Sequence, residues 1–146
     1  MRLTRGLTLA GLCLTLNACV GLSVGPMAKY NGPTGDFGDT HSSGFTAGAQ
    51  GDFNLAMLSI TGDAAWTKFS GEDGYEDVDG FELAVGGRLS LGPAFVGAQY
   101  GYLTGDLDQA LLRPEVGVSL GPVTAFAQYQ TLKRKWWSIG GTFNLF

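Results

Sequence analysis

A period of two constrains this chain more than any other feature. From Val20 onward apolar residues recur at every second position, in eight successive segments, with no competing 3.6-residue helical period. The segments fall at about 20–30, 43–53, 55–68, 79–91, 94–104, 109–120, 123–132 and 135–146. Phe45, Ala47, Ala49 and Phe53 share one face of the second, and Phe81, Leu83, Val85, Leu89 and Leu91 one face of the fourth. Trp137, Ile139, Phe143 and Leu145 do so in the last. Alternation of this kind predicts β-strands with one apolar and one polar side.

The connections alternate in length. Tight turns are expected at Phe53-Asn54, Gly92-Pro93 and Gly121-Pro122, and longer polar loops at about 31–42, 69–78, 105–108 and 133–134. Ser90-Leu91-Gly92-Pro93 recurs as Ser119-Leu120-Gly121-Pro122, and each copy precedes a strand containing Ala-Gln-Tyr. This reads as a repeated hairpin. Pro26 and Pro114 interrupt the pattern, because proline removes a ladder hydrogen bond. A late start to strand one, or a bulge at Pro114, would accommodate them.

The second face decides what surrounds the strands. It carries Gly, Ser, Thr and Gln, with sparse charges of both signs: Lys29, Asp52, Asp63, Glu82, Arg88, Arg113 and Glu115. Charged residues make up only 15 % of the chain, against roughly 25–35 % on an ordinary water-facing surface. A sparse, balanced set suits a closed polar interior in which charges must pair. The apolar face would then meet lipid, and no apolar run reaches the roughly 18 residues of a spanning helix. Tyr30, Trp66, Tyr100, Tyr102, Tyr129 and Trp137 fall toward the loop ends of their strands, where an aromatic girdle belongs. The fold class expected is all-β: an antiparallel, up-and-down, eight-stranded transmembrane barrel.

The N-terminus reads as an export signal over residues 1–18, leaving 19–146 as the barrel. Arg2 and Arg5 are basic, and Leu7 to Leu16 form an apolar core too short to span. Leu16-Asn17-Ala18-Cys19 resembles a bacterial lipobox, which implies lipidation at Cys19; ordinary cleavage near Ala18 is the alternative. Cys13 leaves with the signal, so the mature chain has no partner for an internal disulfide. The chain is acidic, with a formal net charge of −4, which argues against nucleic acid as a partner.

The last strand, Trp137 to Phe146, alternates and ends on Phe. It resembles the assembly signal of bacterial outer-membrane proteins, which implies recognition of Phe146 by the barrel-assembly machinery. With signal, strand number and loop asymmetry, the mature chain resembles the small OmpA/OmpX-type outer-membrane barrels. That resemblance implies residence in the bacterial outer membrane, contact with its lipid and lipopolysaccharide, and a monomer.

Candidate chemistry is thin. His41 is the single histidine and falls in the first long loop, read as solvated; Ser70, Glu72 or Asp73 could approach it only if the loops bring them together. Glu72, Asp73, Glu76, Asp77 and Asp79 form an acidic second loop without the spacing of a calcium-binding hand. Lys133, Arg134 and Lys135 cluster at the last connection, where they could meet lipid phosphates or the acidic loops. No catalytic residue, metal or cofactor is expected. The set singled out is the interior charges Lys29, Asp63, Glu82, Arg88, Arg113 and Glu115, as a salt-bridge network plugging the barrel or, alternatively, a gated ion path. The function expected is non-enzymatic: envelope structure or surface interaction first, a small gated pore second, and a periplasmic lipid-binding barrel with its apolar face inward third.

Overall fold

A computed structural model describes residues 20–145. Eight antiparallel strands close into one barrel in sequence order. They are β1 (Val20–Thr34), β2 (His41–Leu55), β3 (Leu58–Gly71), β4 (Val78–Leu91), β5 (Ala94–Leu103), β6 (Gln109–Leu120), β7 (Val123–Gln130) and β8 (Lys135–Phe143). A short helix, α1 (Gly35–Thr40), joins β1 to β2. β8 closes the ring on β1, from Met27↔Thr142 to Thr34↔Lys135. Closure leaves no free sheet edge, so every strand pairs on both sides. Cys19, the export signal expected over residues 1–18 and Phe146 lie outside the described residues.

All three short turns sit at one end, here the turn end, and the longer connections at the other, the loop end. Gly92 and Gly121 adopt the positive φ that a two-residue hairpin turn requires, at +70° and +62°. The β2–β3 turn differs from expectation. It lies at Ala56-Met57, flanked by the Leu55↔Leu58 pair, rather than at Phe53-Asn54. The outward alternation runs on through Leu55, and Ala56 takes φ +55° without a glycine to announce it.

Neither proline is accommodated as expected. β1 starts at Val20, and β6 is unbroken across Pro114. Each proline instead sits just beyond the end of a ladder. Pairing of β1 with β8 starts at Met27, and pairing of β6 with β7 stops at Glu115↔Gln128. Backbone bonding resumes past each proline, with Leu145 N–H donating to Val24 O at 2.9 Å and Thr131 N–H to Leu112 O at 3.1 Å, so each interrupts its ladder only locally. The first loop is also shorter than expected, because β1 runs on to Thr34 and α1 fills most of the remainder.

Side chains divide by parity. Leu22, Phe45, Ile60, Leu83, Tyr100, Val116 and Ile139 are exposed on the outside, while Lys29, Gln50, Glu82, Gln99, Arg113 and Gln128 are buried within. The inner parity is not wholly polar. Phe37, Phe69, Leu103, Leu107, Leu111 and Trp136 pack as an apolar cluster toward the loop end. Met27, Ala65, Phe95 and Phe126 form a second buried cluster.

Candidate functional site

The lumen gathers all six charged residues expected to form the network. Lys29 on β1 reaches Glu82 on β4, with Nζ 2.7 Å from Oε1. Arg113 on β6 donates to the same Oε1 at 3.0 Å and to Asp63 Oδ2 on β3 at 3.3 Å. Arg88 on β4 grips Glu115 through Nε at 2.6 Å and Nη2 at 3.3 Å, a two-pronged contact that suits the guanidinium fork. Its Nη1 reaches Asp52 at 3.2 Å. Asp52 thus joins the layer as a fourth carboxylate beside Asp63, Glu82 and Glu115, facing three cations. Parity had placed Asp52 on this face, but nothing in the sequence tied it to Arg88.

Neutral amides and hydroxyls complete the layer. Gln50 donates to Asp63 at 2.7 Å, Gln128 to Glu115 at 2.8 Å, and Thr67 to Glu82 at 3.1 Å. The Arg88 guanidinium lies over Phe95, 4.5 Å from the ring centroid, and 5.8 Å from that of Phe126. The sequence does not mark these inward aromatics, because a single aromatic on the polar parity leaves the alternation of its strand intact.

Two glycines make room for the long cations. A Cβ on Gly140 would lie 2.6 Å from Lys29 Cγ and 2.5 Å from Ala28 O. One on Gly97 would lie 3.0 Å from Arg88 Cγ and 2.3 Å from Gly87 O. The glycine richness of the inner face is thus partly the footprint of the side chains lying across it.

A cavity opens from each end. The loop-end cavity, about 810 Å³, lies between α1, Tyr75, Asp106 to Asp108 and Lys133 to Lys135. The turn-end cavity, about 500 Å³, is lined by Asp52, Asn54, Ser59, Arg88, Phe95 and Asn144 among others. Between them stand the charge layer and the loop-end apolar cluster, whose Phe69, Leu103, Leu107 and Leu111 are fully buried.

His41 is not the solvated loop residue expected. It begins β2 and is buried against Phe37, with ring centroids 4.7 Å apart. Its Nδ1 lies 2.7 Å from Thr40 Oγ1 and its Nε2 3.2 Å from Glu76 O. Both nitrogens are therefore engaged, and Ser70 hydrogen-bonds elsewhere, accepting from Ser42 through its backbone oxygen. The reason for the burial is α1, which folds Phe37 down onto the ring. In the acidic loop, Asp77 binds Lys68 at 3.5 Å and accepts the Gly71 N–H at 2.9 Å. That hydrogen bond first, and Lys68 beside it, hold the Asp77 carboxyl below the usual carboxylate range. No grouping of His, Cys, Asp and Glu among the described residues is arranged to hold a metal ion. No protein-family model, curated protein or solved structure matches the chain.

Proposed function

We propose that this chain is a bacterial outer-membrane β-barrel with a non-enzymatic role in envelope structure or surface interaction, in contact with outer-membrane lipid and lipopolysaccharide. The observation that carries this reading is the inversion of the usual side-chain distribution. Large apolar residues are exposed on all eight strands, while Lys29, Glu82 and Arg113 are buried to within 2 % of fully. Monomeric soluble proteins expose contiguous apolar patches of only about 300–600 Å². A belt of Leu, Val, Ile, Phe, Tyr and Trp around a whole barrel suits hydrocarbon instead. Strands of 8 to 15 residues bracket the roughly 9–11 needed to cross tilted. Short loops favour an envelope role over adhesion.

Two of the alternatives fare differently. A periplasmic lipid-binding barrel needs an apolar lumen, and here Arg, Lys, Glu, Asp and Gln line the central layer. A gated pore has a specific observation in its favour. Within that layer Arg113 Nε and Gln99 Nε2 have no protein partner, leaving donors for water or anions between two vestibules.

Fractionation and gel mobility test the leading reading. The protein is expected in the membrane fraction, migrating differently before and after boiling; a soluble, heat-insensitive protein overturns it. Bilayer conductance of Arg113→Ala against the parent separates plug from gate. Unchanged conductance rules the gate out.

A further inference from the structure

The described residues contain seven cationic side chains. Four meet a carboxylate within 4.0 Å: Lys29, Lys68, Arg88 and Arg113. The three that do not are consecutive: Lys133, Arg134 and Lys135. The acidic residues across the loop-end cavity do not neutralise them, and two are otherwise engaged. Asp108 accepts the Tyr102 hydroxyl, and Asp106 accepts the Asp79 N–H at 3.4 Å. Arg134 spends one donor on Leu107 O at 2.6 Å, which fixes the loop without using its charge. Among the described residues of this acidic chain, this is the one place where positive charge accumulates without an internal counter-ion.

Its position is as informative as its charge. The run stands directly over an outward aromatic sector of β7, β8 and β1. Tyr129 pairs with Trp137, whose ring lies 5.8 Å from Tyr30. Thr34 ties the two levels together, with Oγ1 3.3 Å from the Tyr129 hydroxyl and 3.2 Å from Lys135 O. Apolar surface with an amphipathic aromatic rim and unpaired cations above it matches the profile of one amphiphile: acyl chains, interface, anionic headgroup. The neighbouring cavity of about 810 Å³ has two kinds of wall, these cations and the carboxylates of Asp36, Asp106 and Asp108. A headgroup that carries both phosphate and hydroxyls satisfies both walls. The phosphate accepts from Lys133 and Lys135, and the hydroxyls donate to the carboxylates.

We propose that the Lys133–Arg134–Lys135 loop and its cavity bind the headgroup of an amphiphile bearing a phosphorylated sugar. This rests on the membrane reading and names the site by which the barrel would hold one lipid of the outer leaflet. Because the geometry places cations and aromatic sector on the same side, the ligand is the lipid-borne phosphate rather than a free sugar phosphate.

The test is lipid retention by the folded, detergent-solubilised full chain, read by native mass spectrometry. Three probes are offered at equal concentration: monophosphorylated lipid A, phosphatidylglycerol and glucose 1-phosphate. Folding is checked first by heat-modifiable mobility, so that loss of the barrel itself is seen separately. The parent is expected to retain the phosphoglycolipid, and Lys133→Gln/Lys135→Gln to lose about tenfold in retention, a difference of about 1.4 kcal/mol. Lys68→Gln, also at the loop end but paired with Asp77, is expected to retain it as the parent does. Equal retention by parent and double variant overturns the proposal. So does equal retention of phosphatidylglycerol, which would mean bulk charge alone, or displacement by glucose 1-phosphate, which would make the ligand a soluble one.

Discussion

The side chain of Gln130 stands in for a backbone acceptor: its Oε1 accepts the backbone N–H of Leu112 at 2.9 Å, while Leu112 O still accepts the Thr131 N–H at 3.1 Å. Gln130 Nε2 donates to Ala110 O and Leu132 O, at 3.1 and 3.0 Å. This happens beyond Glu115↔Gln128, where the β6–β7 ladder stops although β6 still pairs with β5 as far as Gln109. One carboxamide thus satisfies three backbone groups along the seam that Pro114 cannot zip. Gln130→Leu keeps the bulk and removes all three bonds. It is expected to cost about 1–3 kcal/mol and to speed hydrogen exchange at Leu112 selectively. Exchange at Leu112 equal to that of the parent would show that the seam does not depend on Gln130.

Glu82 is the shared carboxylate of Lys29 and Arg113. Removing one partner from a buried cluster strands the other charges, typically at about 3–5 kcal/mol, whereas apolar replacement of a whole pair can be neutral. Glu82→Gln should therefore destabilise the barrel by that order in urea unfolding from lipid. Lys29→Met combined with Glu82→Leu should recover much of the loss, because Arg113 retains Asp63. A Glu82→Gln barrel as stable as the parent would mean that the layer is not a coupled network.

Asp77 anchors the β3–β4 loop through the Gly71 N–H and Lys68. Its carboxyl is held below the usual range, so the contribution is present when it is ionised and is lost as pH falls through its lowered value. The Gly71 amide resonance is expected to shift as Asp77 is protonated, and Asp77→Asn to abolish that titration. A Gly71 resonance that titrates unchanged in Asp77→Asn would assign the effect to another group.

Strand number, strand parity and two of three tight turns were legible because each is local. Alternation within a strand fixes which side chains share a face, so Lys29, Asp63, Glu82, Arg88, Arg113 and Glu115 could all be placed inward from parity alone. Which carboxylate meets which cation was not legible. Lys29 and Glu82 stand on β1 and β4, and their meeting depends on closure and register around the ring. The Ala56-Met57 turn has no Gly or Pro to mark it. Burial of His41 depends on α1, six residues whose helicity comes from packing Phe37 under the loops rather than from propensity. Phe95, Phe126 and Trp136 face inward because a network of long charged side chains still leaves apolar volume to fill at either end.

If the outer face meets lipid and the inner face does not, Trp136 and Trp137 report on the two sides of one strand. Trp137 is 39 % exposed and Trp136 is 1 % exposed, packed 5.1 Å from Phe69. Single-tryptophan versions are obtained by replacing the other two of Trp66, Trp136 and Trp137 with Phe, and each is reconstituted in vesicles with brominated acyl chains. Bromolipid is expected to quench Trp66 and Trp137 strongly and Trp136 little. Quenching of Trp66 and Trp137 by aqueous iodide, with no effect of bromolipid on either, would contradict contact of the outer face with lipid.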